Sequence, residues 1–265
     1  MESALAQLFS PTSWPAFVLI SCRLAGLMVV APLWSLASIP RTVRGALVVV
    51  LAAVLVPMSP TPPFPEQVVS IPIPMLSELV IGLGIGIAAA VVTQAMMLAS
   101  EVVSLQTGLS LGQLLAPSID TGGPAMGQLY GLLGLAVFVS VGGPVSLLEA
   151  LARSLDQLPP GTVIGFDGGA TALLGVAGHL FGYAVQICGP VMVAVTVSNV
   201  AIAIISRAVP QLNAMAMSFA VTLGVGLLMF GASLPLVVRV VGRWSTEAPA
   251  VADAVVREMT PPGGR

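Results

Sequence analysis

The sequence predicts an all-α, polytopic membrane protein with about six hydrophobic segments arranged as kinked helical hairpins. Hydrophobic residues make up 57% of the 265 residues and charged residues only 8%, whereas an ordinary soluble domain is nearer 25% charged. The stretches 79–100, 121–148 and 208–238 contain no charged residue at all. The ten-residue alternation typical of transmembrane strands is absent. Because a lipid-exposed backbone must satisfy its own hydrogen bonds, these stretches are predicted to be helices.

The first three hydrophobic segments span about residues 13–34, 41–56 and 75–99. A membrane-spanning helix needs about 20 mostly apolar residues. The second segment is short by this measure because Pro57 ends it. The connection that follows, residues 57–74, contains seven prolines and is predicted to be extended and stiff.

The last three hydrophobic segments span about residues 126–150, 169–205 and 211–238. The fifth is too long for one simple crossing, and Gly189-Pro190 interrupts it. A proline removes a backbone donor and clashes with the preceding helical turn. We therefore expect two half-helices, able to fold as a hairpin at membrane depth, or one strongly kinked helix.

The distribution of polar residues defines the domain organisation. Residues 1–244 are assigned to a single helical membrane domain, and residues 245–265 to a polar, mobile C-terminal tail. The N-terminus lacks a basic region and a cleavage site, so we expect no removable signal peptide.

Composition excludes several classes of function. The nine basic residues, all arginines, are outnumbered by eleven acidic ones, so a nucleic-acid binder with a basic face is excluded. His179 is the single histidine, and Cys22 and Cys188 lie in apolar runs with no ligand cluster around them. We therefore expect no metal, no cofactor and no enzymatic activity.

Charges inside hydrophobic segments are expensive and usually functional. Arg23 lies deep in the first segment, whereas Glu78, Glu101 and Glu149 stand at segment ends. Two interpretations of Arg23 stay equally open, a pore-lining cation and a paired anchor between helices. A secondary transporter or channel remains an alternative function, although a transporter would usually place carboxylates at mid-membrane.

Glycines recur at spacings that favour close packing of membrane helices. The sequence contains Gly82-Leu-Gly84-Ile-Gly86, and glycine pairs four residues apart at 127 and 131 and at 178 and 182. Small residues at such spacings allow helix backbones to approach closely. The first motif lacks the preceding strand and the third glycine spacing of a nucleotide-binding loop.

Two irregular segments stand out. The turn from Ser206 to Asn213 contains a cation, a proline and two amides between two long apolar segments, and amides can bond carbonyls that a proline frees. Residues 105–125 are rich in glycine yet apolar. A water-exposed loop would be more polar, so this segment is predicted to pack inside an assembly.

Together these motifs resemble the FliR family, the FliR and SctT subunits of the flagellar and virulence type III export apparatus. Arg207-Ala-Val-Pro210-Gln211-Leu-Asn213 resembles the arginine-x-x-proline-glutamine-x-asparagine signature of that family. The N-terminal pattern is similar in Arg23, Gly26, Pro40 and Arg44. The central block is similar in Gln106-Thr-Gly108, Pro117, Phe138, Gly142-Gly143, Ser154 and Pro159. The similarity extends, in order, over about 200 residues.

The resemblance implies a non-enzymatic subunit of an export gate in the bacterial inner membrane, at the flagellar basal body. The implied partners are FliP-like and FliQ-like subunits, FlhB-like and FlhA-like components, and unfolded export substrates. The implied assembly motif consists of Arg207, Pro210, Gln211 and Asn213. The resemblance also implies that a loop after the third segment plugs the closed pore. The implied plug residues are Gln106, Gly108, Leu109, Leu111, Gly112, Leu114, Leu115, Pro117, Ile119, Gly122 and Gly123. The motifs leave open whether the system is flagellar or a virulence injectisome, and overall likeness favours the flagellar one.

Overall fold

The computed structural model describes residues 13–34, 39–59, 72–108, 125–164, 166–208 and 214–260. Within these ranges every regular element is helical, so the predicted all-α fold is confirmed. The helices are α1 (Trp14–Val30), α2 (Arg41–Leu55), α3 (Pro72–Thr107), α4 (Ala125–Ser140), α5 (Gly143–Gln157), α6 (Phe166–Ala208) and α7 (Ala214–Glu258). A short 3₁₀ turn, Val56–Met58, follows α2 at Pro57.

The described part of the chain has fewer helices that could span a membrane than the six hydrophobic segments of the sequence would suggest. In the described part of the chain, four helical spans are long and apolar enough to cross a membrane: Arg41–Met58, Pro72–Thr107, Leu174–Ala208 and Met217–Glu258. The bent pair α4 and α5 makes a fifth if it counts as one span. The first segment forms only the shorter apolar helix α1. The polytopic helical fold therefore holds with four or five spans by length and composition.

The fourth hydrophobic segment is broken rather than continuous. It breaks between α4 and α5, where Gly142 adopts a left-handed φ of 82°, a conformation that glycine tolerates best. Helix α5 is amphipathic: Leu147 and Leu151 are buried, whereas Glu149 and Arg153 are exposed. The expectation of one helix over 126–150 is wrong because α5 packs as a surface helix beyond a glycine hinge.

The fifth segment is continuous rather than divided. Helix α6 passes through Gly189 and Pro190 without a break, so of the two expected forms, two half-helices or one kinked helix, the first is wrong. A proline costs one hydrogen bond and a steric adjustment, and more than 15 helical residues on either side maintain the helix.

The last helix is longer than its apolar core. Helix α7 continues from the predicted segment 211–238 to Glu258, through most of the expected polar tail. Ala252, Val255, Val256 and Met259 are buried there at helical spacing. The domain boundary at residue 244 stays a prediction.

The chain divides into two compact units. Unit 1 contains residues 1–91, 142–178 and 245–265. Its core includes Ile20, Leu24 and Leu27 of α1 together with Ile81 and Ile85 of α3.

Unit 2 contains residues 92–141 and 179–244. Its core includes Met96 of α3, Tyr130 of α4 and Trp244 of α7. The Tyr130 ring packs against Phe230 at 4.8 Å between ring centroids, and the Tyr183 ring contacts Trp244 at 5.2 Å.

Candidate functional site

Arg23 of α1 and Glu78 of α3 form an ion pair in the interior of unit 1. Arg23 Nε donates to Glu78 Oε2 at 2.6 Å, and both side chains are completely buried. Two charges removed from water are costly unless they are paired and their other polar atoms are satisfied. The geometry therefore favours the interhelical anchor over the pore-lining cation for Arg23.

The rest of the guanidinium group is satisfied by α5 and by the residue that follows it. Arg23 Nη1 donates to Ser154 Oγ at 3.0 Å, and Nη2 donates to the carbonyl oxygen of Leu158 at 2.9 Å. Ser154 Oγ in turn donates to the Leu151 carbonyl at 2.6 Å. Arg23 thus holds both the last turn of α5 and the start of the loop that leads to α6.

The glutamate holds the same loop from the other side. The backbone N–H of Gly161 donates to Glu78 Oε1 at 2.9 Å, and Ile164 N–H reaches Ser77 Oγ at 3.5 Å. Gly161 has a left-handed φ of 93°, which glycine adopts most easily. We call Arg23, Glu78, Ser154, Leu158 and Gly161 the Arg23–Glu78 network.

Glycines bring α1 and α3 close enough for this pair to form. A Cβ built on Gly82 would overlap the Arg23 carbonyl oxygen, and one on Gly26 would overlap the Leu79 carbonyl oxygen. A Cβ on Gly86 would also meet the Leu27 carbonyl oxygen, at 2.9 Å. The two backbones therefore touch where the ion pair lies, as close helix packing at small residues requires.

A second ion pair in unit 1 is weaker. Arg153 Nη1 of α5 lies 3.8 Å from Asp253 Oδ2 of α7, and the arginine side chain is 49% exposed. Exposed pairs at such distances contribute little to stability. The Arg23–Glu78 pair has the shorter distance and the deeper burial of the two ion pairs.

Among the residues that the structure describes, no group of three or more His, Cys, Asp or Glu side chains could hold a metal ion. The chemistry available to the network is positional: it fixes three chain segments through charge-assisted hydrogen bonds.

Comparison of the sequence with known proteins assigns the chain to a family. The sequence profile described as bacterial export proteins, family 1, matches residues 14–248. The chain belongs to this family. In this family 1 export protein, every member of the Arg23–Glu78 network lies within the matched residues.

Curated relatives of the family 1 export protein have two kinds of name. Flagellar biosynthetic protein FliR of Aquifex aeolicus is 27% identical over 216 residues, which cover 81% of this chain and 83% of that protein. FliR of Escherichia coli K12 is 24% identical over 224 residues, or 84% of each chain. Surface presentation of antigens protein SpaR of Shigella flexneri is 24% identical over 147 residues, covering 56% of this chain and 57% of SpaR. The resemblance to the FliR family is confirmed.

The structure places the N-terminal motif of the export protein in different environments. Arg23 and Gly26 lie together in the α1–α3 contact. Pro40 is exposed and caps the start of α2, and Arg44 is half-buried one turn later.

The predicted plug and assembly residues are described only at their edges. Gln106 donates through Nε2 to Thr196 Oγ1 at 3.3 Å, and Gly108 follows the end of α3 with a φ of 78°. Arg207 is exposed in the last turn of α6. The remaining predicted residues lie outside the described part of the chain: Leu109, Leu111, Gly112, Leu114, Leu115, Pro117, Ile119, Gly122 and Gly123 of the loop, and Pro210, Gln211 and Asn213 of the turn.

Sequence reasoning singled out Arg23 but missed most of its partners. Glu78 was noted only as a segment end, and Ser154 only as part of the family resemblance. Leu158 and Gly161 act through backbone atoms, which no side-chain pattern marks. The available signal was electrostatic, because a buried arginine needs a carboxylate and Glu78 is the first acid of the next long segment.

Proposed function

We propose that this chain is a non-enzymatic subunit of a type III protein export gate in the bacterial inner membrane. It assembles there with FliP-like and FliQ-like subunits and works with FlhB-like and FlhA-like components to pass unfolded substrates. The observation that carries the proposal is the family match over residues 14–248. FliR of Aquifex aeolicus and FliR of Escherichia coli match over 80% of this chain, whereas SpaR of Shigella flexneri matches 56%, which supports the flagellar system.

The exposed apolar surface supports a role inside an assembly. In the 18-residue apolar stretch of the span Leu174–Ala208, only 28% of the residues are buried within the chain. In the corresponding stretch of Met217–Glu258, only 22% are buried. Large apolar side chains such as Leu174, Val197 and Leu228 are more than 60% exposed. Lipid and partner helices together would cover these surfaces, as expected for one subunit of a membrane complex.

Co-production tests the proposed function. The chain produced alone in the membrane is expected to be degraded or aggregated, and FliP-like and FliQ-like subunits should recover it as a stable complex. Deleting its gene should abolish export, and restoring the gene should recover it. The measurements are size-exclusion profiles in mild detergent and secreted substrate. A monodisperse, stable monomer that ignores those partners, in cells that export normally without it, would contradict the proposal.

We also propose that the turn after α6 is an assembly motif, formed by Arg207, Pro210, Gln211 and Asn213. Arg207 ends α6 with its side chain exposed. At that position a guanidinium group can bond a carboxylate or a helix C-terminus of a neighbouring subunit.

The glycine-rich segment of residues 106–123 is proposed to plug the closed gate. Its glycines permit backbone angles closed to other residues, and its leucines gain about 1.5–3 kcal/mol each when buried. Deleting Leu109–Ile119 should make the assembled gate leak ions while the complex still forms. A deletion of the same length in the Pro-rich connection, residues 60–70, serves as the control. Ion conductance measures the leak, and a shortened gate that assembles and stays as tight as the parent would refute the plug.

A further inference from the structure

One face of α6 in unit 2 is left largely exposed by the residues that the structure describes. Seven residues lie on it at spacings of three and four, which place them in one stripe along a helix. Six are exposed and Gly189 is half-buried. We call this face the α6 stripe: Gly182, Gln186, Gly189, Val193, Val197, Val200 and Ile204.

The stripe is as long as a membrane is thick. From Gly182 to Ile204, a helical rise of about 1.5 Å per residue gives a length of about 33 Å, against about 30 Å of hydrocarbon. The stripe lies entirely within the candidate span Leu174–Ala208. One further membrane-spanning helix would match it in length.

Lipid alone would not satisfy the polar groups in the N-terminal half of the stripe. The Gln186 side chain has no hydrogen bond to any residue that the structure describes. Its backbone carbonyl lacks the usual donor four residues later, because Pro190 has no N–H. Polar groups left unsatisfied in hydrocarbon are costly, so Gln186 needs a hydrogen-bonding partner at membrane depth.

The stripe also changes in bulk along its length. A Cβ built on Gly182 or Gly189 would meet nothing within 4 Å, so the N-terminal half forms a shallow groove. The C-terminal half is bulky, with Val193 and Ile204 each 66% exposed. A second copy in the same membrane orientation would set groove against groove and bulk against bulk, and the two helices would splay apart. An antiparallel copy would fit, but it would need the opposite orientation in the membrane.

We propose that the α6 stripe receives one membrane-spanning helix from a different subunit of the export gate. That helix presents large apolar residues to Gly182 and Gly189, small residues to the stretch from Val193 to Ile204, and a hydrogen-bonding group to Gln186. The inference rests on the proposed function and specifies the face through which this chain joins its partners.

Crosslinking in the complete assembly tests which molecule covers the stripe. A benzophenone amino acid replaces Val193, Val197 or Val200 in the full-length chain, in cells whose export depends on it. Adducts with an integral membrane subunit of the export apparatus, identified by mass spectrometry, are expected. Adducts with lipid only, or with a second copy of this chain only, would overturn the proposal. Continued export in those same cells would show that the proposed function survives that failure.

Substitutions test the chemistry of the stripe. The double variant Gly182→Leu, Gly189→Leu should lower the amount of partner subunit that co-purifies with the chain at least tenfold. Gly231→Leu of α7, at another exposed glycine with open space, should leave it unchanged. Gln186→Leu makes α6 more apolar and favours insertion, yet should weaken association about 3- to 18-fold through the lost hydrogen bond. Unchanged co-purification in both stripe variants would overturn the proposal.

Discussion

Glu78→Ala is expected to leave the Arg23 guanidinium buried without its counter-charge and to destabilise unit 1 severely. Removing one partner of a buried ion pair costs about 3–5 kcal/mol, a large share of the roughly 5–15 kcal/mol by which a typical domain is stable. The Gly161 N–H would also lose its acceptor, Glu78 Oε1. The expected result is rapid degradation of the chain, measured by pulse-chase, and a lower unfolding temperature for whatever complex is recovered.

Two control variants show whether the loss of stability comes from breaking the buried ion pair rather than from removing a carboxylate from α3. Glu101→Ala removes an exposed carboxylate from the same helix and should have little effect. The double variant Arg23→Met with Glu78→Met removes both charges and should recover much of the stability, because apolar replacement of a buried pair is often neutral or stabilising. A Glu78→Ala chain as long-lived as the Glu101→Ala chain would show that the network does not hold unit 1 together.

Gly82→Ala is expected to force α1 and α3 apart. The added methyl group would occupy the place of the Arg23 carbonyl oxygen, and a backbone atom in a helix cannot move aside as a flexible side chain can. Overpacking costs about 1–3 kcal/mol and occasionally more, and this substitution belongs at the upper end. The expected result is a lower thermal midpoint for the purified complex.

The matched control for Gly82→Ala is Gly231→Ala, because both are helical glycines and only Gly82 touches another backbone. With open space around Gly231, alanine should be neutral or should stabilise α7 by up to about 1 kcal/mol through its higher helix propensity. Equal thermal midpoints for the two variants would contradict the close α1–α3 contact.

Most of the fold could be predicted because long apolar, uncharged runs have one stable form in lipid. The segment 75–99 corresponds to the inner part of α3, and residues 214–238 of the last segment form the first part of α7. The errors lie where local rules compete with neighbours. Pro190 predicted a break or a strong kink, and the helix does not break there because its long flanks absorb the loss of one hydrogen bond. After residue 244, Val255 and Met259 pack against Gly84 in unit 1, a contact that the polar composition of this stretch does not indicate.

The sequence by itself determined the membrane class, the helical class of the fold and the presence of an arginine deep in the first segment, because hydrophobic length and charge scarcity are properties of the chain alone. Only the tertiary structure decided what that arginine does. Its partners come from α3, α5 and the loop after α5, separated from it by 55, 131 and 135 residues in the chain. Two of the loop groups are backbone atoms, Leu158 C=O and Gly161 N–H. Since every residue has a carbonyl and nearly every residue an N–H, only the packing of α1 against α3 selects these two.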